Sequence, residues 1–164
     1  IIAEFQFIPY YFSRMKSISL LTAELQTYFS QHENVALAFL FGSAAKDSLT
    51  ADSDIDIAVY FRPPKGMRGI ETEYIDKDEE KIWRDMELTA GREVDFVVLN
   101  RAPAALLCSV FDEGVPLSIK DESLYHQLYI RASTEAEDFR GFVKDFWAIK
   151  QRSRSISEAD NDRN

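Results

Sequence analysis

Three aspartates and a Gly-Ser pair carry the chemistry this sequence can offer. Phe41-Gly42-Ser43 is followed, after residues 44–53, by Asp54-Ile55-Asp56, and a further aspartate stands in Glu93-Val94-Asp95-Phe96-Val97. Side chains alternate between the two faces of a strand. An extended Asp54-Ile55-Asp56 therefore aims both carboxylates one way, with Cα atoms about 7 Å apart, and sends Ile55 and Ile57 into the core. Carboxylates so placed repel each other unless a cation sits between them. Mg²⁺ suits the pair, because it takes hard oxygen ligands and completes its shell with water and substrate phosphates. Asp95 has the same alternation, with Val94, Phe96 and Val98 facing the core. If the two strands are neighbours, Asp54, Asp56 and Asp95 converge as the metal-binding set that two-metal phosphoryl transfer requires. Glu93 shares the parity of Asp95 and is the weaker ligand. Asp52 shares the parity of Asp54 and Asp56 and reads as a solvated loop residue.

Gly42-Ser43 supplies the phosphate end. Glycine permits a tight turn and close backbone approach. Ser43 offers a hydroxyl, and the N–H groups of Ser43, Ala44 and Ala45 open a short helix whose N-terminus favours anions. Alone, an Asp-x-Asp is usually a solvated strand face and a Gly-Ser usually a turn. Their joint spacing, with a third aspartate on a later strand, is what points to a site.

The elements that must position these residues are legible from periodicity. Leu20, Leu21, Leu25 and Phe29 predict a helix over Ser19 to Gln31 with one apolar face. Val35–Phe41 and Ile55–Phe61 are apolar runs of strand length, and Pro63, Pro64 and Gly66 break the chain after the second. Ile82, Trp83 and Met86 predict a helix over Asp78 to Thr89, closed by Gly91. Val94–Leu99 predicts a third strand. Pro103 opens a helix to about Phe111, stopped by Gly114, and Val115–Ile119 predicts a short fourth strand. Leu124 to about Lys150 predicts a last helix. The expected fold is α/β (α+β), a small mixed sheet flanked by helices. The segments expected are an apolar N-terminal extension at 1–14, a catalytic domain at 15–120, a helical segment at 121–150 and a polar, disordered tail at 151–164. The apolar stretch 1–14 reads as an upstream extension ahead of Met15, or else as an added strand or partner-binding segment.

Composition narrows the classes. A hydrophobic fraction of 46% and a charged fraction of 29% suit a globular domain. No apolar run reaches a membrane span, and no signal peptide is apparent. Cys108 is the only cysteine, which excludes an intrachain disulfide and a thiolate zinc site, and His32 and His126 match no ligand spacing. The expected location is cytoplasmic. A net charge of −9, with only 19 scattered Lys and Arg, argues against strong nucleic-acid binding and favours divalent cations.

On Gly42, Ser43, Asp54, Asp56 and Asp95 the sequence resembles the DNA polymerase β-type nucleotidyltransferase superfamily, and within it the minimal nucleotidyltransferases (MNT proteins) of prokaryotes. The resemblance spans about Leu20 to Ile119, including Asn100-Arg101-Ala102 and Gly114-Val115-Pro116-Leu117. It implies Mg²⁺ and ATP or another NTP, and a polymerase β-like fold. It also implies a HEPN-type toxin as protein partner, silenced by AMP transfer to a toxin tyrosine. One departure stands out. The group often reads Gly-Ser-Arg-x-Arg-Gly where this chain has Gly42-Ser43-Ala44-Ala45-Lys46-Asp47, so Lys46 is left as the nucleotide-binding cation of that turn.

Two other functions fit less of the pattern. One is an antitoxin that neutralises its partner by contact alone, which the intact aspartates oppose and the missing arginines favour. The other is a small-molecule, antibiotic-type nucleotidyltransferase, for which 164 residues leave little chain to build an acceptor pocket. Tyr125, Tyr129, Ala132, Ala136, Phe139, Val143 and Phe146 form a stripe of coiled-coil spacing. Either the last helix breaks near Ser133-Thr134, where Thr134 and Glu137 make a capping-box pattern, or part of the stripe, from Phe139 to Trp147, meets a partner helix in a homo- or hetero-oligomer.

Overall fold

The computed structural model describes residues 17–46, 53–64 and 74–140. The N-terminal extension, Asp52, Gly66, the polar tail, and Val143, Phe146 and Trp147 of the stripe lie outside these residues.

The order of elements is α1 (Ile18–Ser30), β1 (Val35–Phe41), α2 (Gly42–Ala45), β2 (Ile55–Phe61), α3 (Glu79–Ala90), β3 (Val94–Val98), a 3₁₀ turn (Leu99–Arg101), α4 (Ala104–Glu113) and β4 (Val115–Ile119). A further helix, α5, covers 122–140 of the described residues. The strands form one sheet in the order β3-β2-β1-β4. β1 is antiparallel to β2 and to β4, whereas β2 and β3 run parallel. The sheet is thus small and mixed with helices on both faces, as expected.

Each face of the sheet carries its own apolar layer, which explains why β1 reads as a continuous hydrophobic run and β2 as one broken only at Asp56. Against one face, Leu21, Leu25 and Phe29 of α1 and Ile82 and Met86 of α3 pack on Val35, Ala38 and Leu40 of β1 and Ile55, Ile57, Val59 and Phe61 of β2. Against the other, Val110 and Phe111 of α4 and Leu128 of α5 pack on Leu37, Phe39, Ala58 and Tyr60. Strand alternation puts Asp54 and Asp56 on this second face, in line with Ala58 and Tyr60.

Local signals set the helix ends. The Ser17 hydroxyl accepts from Leu20 N–H at 3.3 Å and caps α1. Gly91 ends α3 in the left-handed conformation at φ +66°, its N–H donating to the Glu87 carbonyl. Pro103 and Gly114 bracket α4. Pro116 sits in β4, an edge strand, where its missing N–H is tolerated.

The structure corrects three expectations. Leu20 lies off the apolar face of α1 and is 51% exposed. Trp83 likewise lies partly in solvent, because its indole N–H reaches the Val94 carbonyl at 3.0 Å and ties α3 to the edge of β3. The last helix does not break at Ser133-Thr134. It is continuous there, and the Thr134 hydroxyl donates back to the Ile130 carbonyl at 2.9 Å rather than capping a new helix. Its buried line is Leu128, Ala132 and Ala136, with Tyr125 and Tyr129 packed beside it, while Phe139 is 64% exposed. Among the described residues no helix is long and apolar enough to cross a membrane.

Asn100 closes the far end of β2. Its amide accepts from Phe61 N–H and donates to the Phe61 carbonyl, both at 2.8 Å, as a neighbouring strand would. Phe61 is fully buried, so losing this side chain strands two backbone groups. Asn100→Ala is expected to lower unfolding stability by about 2 kcal/mol, read from the urea midpoint. A loss within the scatter of a surface substitution would show that the clamp contributes nothing.

Candidate active site

The site forms where β1 ends and β2 begins. β1 delivers Phe41 opposite Asp56, and the chain then turns at Gly42 into α2. Gly42 adopts φ +65°, a conformation that L side chains rarely take. It also leaves no room for a side chain. A Cβ at this position would stand 2.1 Å from Asp56 Oδ2 and 2.7 Å from its Cγ. The Asp56 carboxylate therefore rests against the backbone of the Gly42 turn, and glycine satisfies both demands at once. Ser43 follows within α2, and Lys46 N–H closes the turn by donating to the Ser43 carbonyl at 3.3 Å.

β2 and β3 are parallel neighbours, and Asp56 is in register with Asp95. Adjacent strands lie about 5 Å apart, so the two carboxylates project side by side from one face. Asp54 lies two residues ahead of Asp56 and shares its face. Asp54 and Asp95 are exposed, whereas Asp56 is half-buried. Burial, and then the charges of Asp95 and Asp54, raise the Asp56 carboxyl above its ordinary value. Asp56 thus feels the charge of both neighbours. Glu93 is exposed, and its carbonyl accepts from Ile55 N–H at 3.1 Å, continuing the ladder at the entry to both strands.

Sequence reasoning missed two residues here. Arg92 reaches from the start of β3 to the Ser53 carbonyl at 2.8 Å and holds the chain just before Asp54. Its place beside the Gly91 cap was the available signal. Glu113, at the end of α4, lies 2.6 Å from Lys46 Nζ, a contact between distant residues that no local pattern announces. Lys46 is therefore paired with an acid rather than free to await an anion.

The donor set fits a hard divalent cation. Among the described residues no three acidic, histidine or cysteine side chains are drawn tightly enough into a ready-made cage. Carboxylates without a counter-charge hold apart, and Mg²⁺ commonly takes only one or two of them, with substrate oxygens supplying the rest. A half-buried carboxylate whose charge is resisted by two others is the arrangement such a cation relieves.

The family model described as polymerase beta, nucleotidyltransferase matches residues 23–123, well over half of the chain. Among curated proteins none matches the sequence. Similar solved structures include a chain of a toxin–antitoxin complex with AMP-PNP, at 18% identity and TM-score 0.58, covering 79% of this chain and 94% of that one. Another is a chain of the complex between a tri-AMPylated Shewanella oneidensis HEPN toxin and its MNT antitoxin. It has 16% identity and TM-score 0.57, with 80% of this chain and 97% of that one covered. A chain of a toxin–antitoxin complex of MntA with HepT gives 17% identity and TM-score 0.56 over 79% and 96%. At these identities the likeness is one of fold.

An acid whose value is raised on folding keeps its proton longer in the folded protein than in the unfolded chain. Its relative stabilising effect is complete below the unfolded value and is lost as pH rises through the folded one. At neutral pH the ionised Asp56 therefore works against the cation-free fold. Asp56→Asn is expected to raise the melting temperature of cation-free protein at pH 7, with the gain shrinking as pH falls into the carboxylate range. A variant less stable than the parent at pH 7 would contradict this charge balance.

Proposed function

Because the chain belongs to the polymerase beta nucleotidyltransferase family, we propose that it is a Mg²⁺-dependent nucleotidyltransferase. It transfers AMP from ATP to a hydroxyl acceptor on a protein partner, a tyrosine of a HEPN-type toxin, and so acts as that toxin's antitoxin. The observation that carries the reading is the register of Asp56 with Asp95, joined to the fit of Asp56 against Gly42. An acidic pair set against a glycine turn supports a site for a metal-bound phosphate. The partner and the adenylyl group are supported by the fold shared with toxin–antitoxin complexes, one with AMP-PNP and one with a tri-AMPylated toxin.

In this reading Asp54, Asp56 and Asp95 would hold Mg²⁺. When bound, the ion neutralises phosphate charge and lowers the pKa of an oxygen nucleophile. The Gly42-Ser43 turn approaches the phosphates through its backbone and the Ser43 side chain, and Lys46 adds positive charge. The acceptor oxygen attacks the α-phosphorus and pyrophosphate leaves. Much of the rate advantage in such a transfer comes from positioning and charge stabilisation, which is why the rigid strand pair matters. Contact-only neutralisation is the second reading, favoured by the engagement of Lys46 with Glu113.

The test incubates the protein with Mg²⁺, ATP labelled at the α-phosphate and the product of the adjacent gene. Label should appear on that partner. Asp56→Asn and Asp95→Asn should each lower transfer by orders of magnitude while the protein stays folded. Gly42→Ala should do likewise, since its Cβ displaces the Asp56 carboxylate. A tight complex that forms without transfer would establish the second reading. Near-normal transfer by Asp95→Asn would move the third ligand to Glu93. The exposed Phe139 supplies a separate arm: Phe139→Asp should weaken partner binding without unfolding the protein, as followed by sedimentation.

A further inference from the structure

We infer that Glu113 sets the affinity for nucleoside triphosphate by competing with the polyphosphate for Lys46. The inference rests on the nucleotidyltransferase reading above and names a residue that reading does not use.

Lys46 and Glu113 are brought together by the end of β1. From β1 the chain turns through Gly42 into α2, and Lys46 closes that turn, one helical turn beyond Ser43. Glu113 ends α4, and the residue after it is pinned. Gly114 N–H donates to the Val110 carbonyl at 2.9 Å. A Cβ on Gly114 would stand 2.3 Å from that same oxygen and 3.3 Å from the Leu40 carbonyl. Leu40 lies two residues before Gly42. The end of α4 is thus seated on the same stretch of β1 that launches the phosphate turn, and Glu113 stays within reach of Lys46.

The pair meets at 2.6 Å, yet both side chains are about half exposed, at 55% and 52%. Such surface pairs are weak. A Mg²⁺-bound triphosphate beside Ser43 presents more negative charge than one carboxylate and displaces Glu113 from Lys46. Breaking that pair is a cost that nucleotide binding must meet, and it disappears when Glu113 loses its charge. In a chain without the arginines common after Gly-Ser, the one lysine of that turn is shared between a substrate and an internal competitor.

The experiment measures AMP-PNP binding with Mg²⁺ by calorimetry for four proteins: the parent, Glu113→Gln, Lys46→Gln and the double variant. Glu113→Gln should bind about two- to fivefold tighter than the parent, the range that one exposed ion pair allows. Lys46→Gln should bind more weakly, and the double variant should match Lys46→Gln to within much less than the single-variant gain. The gain should shrink as salt rises. Parent-like or weaker binding by Glu113→Gln overturns the inference. So does a gain of the same size without Lys46, which would make Glu113 a simple repeller. A parent that binds no nucleotide overturns the nucleotidyltransferase reading itself, and the inference falls with it. A parent that binds and a Glu113→Gln that changes nothing remove the inference alone.

Discussion

A carboxylate pressed against a backbone holds the candidate site together. Asp56 occupies the volume that any side chain at position 42 would need. That contact fixes where the chain leaves β1, where α2 begins and how far the acidic group stands from the turn. It is short range and steric, so it tolerates little adjustment. It also brings a charge into a half-buried position that its neighbours resist. The packing beneath offsets the cost: β1 is buried along nearly its whole length, and β2 behind Asp56 is buried from Ile57 to Phe61. Local strain and unfavourable charge persist only where the surroundings over-determine them.

The rest of the molecule supplies that over-determination. α1 and α3 cover one face and α4 and α5 the other, so β2 cannot slip by one residue without exchanging its apolar and acidic sides. Both ends of β2 are fastened by side chains to backbone. Arg92 holds Ser53 at the start and Asn100 holds Phe61 at the finish. β3 runs parallel to β2, in a register that sets Asp95 beside Asp56.

Much of this was legible in the sequence, for identifiable reasons. β1 and β2 begin and end where the apolar runs do, because strands buried on both faces are apolar along their length, with Asp56 the one break. Gly91 and Gly114 mark helix ends because the backbone there has special requirements. The parity of Asp54, Asp56 and Asp95 follows from strand alternation alone. What the sequence concealed depends on tertiary distance. Trp83 and Leu20 fit a helical apolar face by composition but stand at its border, where an indole N–H finds a strand edge and a leucine meets solvent. The capping-box pattern at Thr134 was real as a pattern and lost to a longer packed helix, since Leu128, Ala132 and Ala136 all bury on one line through it. The pairing of Lys46 with Glu113 joins residues far apart in the chain, and nothing local encodes it.

In the proposed function the Gly42 turn and the aspartates of β2 and β3 form one site for a divalent cation held together with a nucleoside triphosphate. Paramagnetic line broadening by Mn²⁺ tests it residue by residue. In the presence of AMP-PNP, low Mn²⁺ should selectively broaden the backbone amide signals of Gly42, Ser43, Asp54, Asp56 and Asp95, and much less without the nucleotide, because the phosphates complete the metal's shell. Broadening that is spread over the acidic surface, or that is unchanged by the nucleotide, would contradict the account.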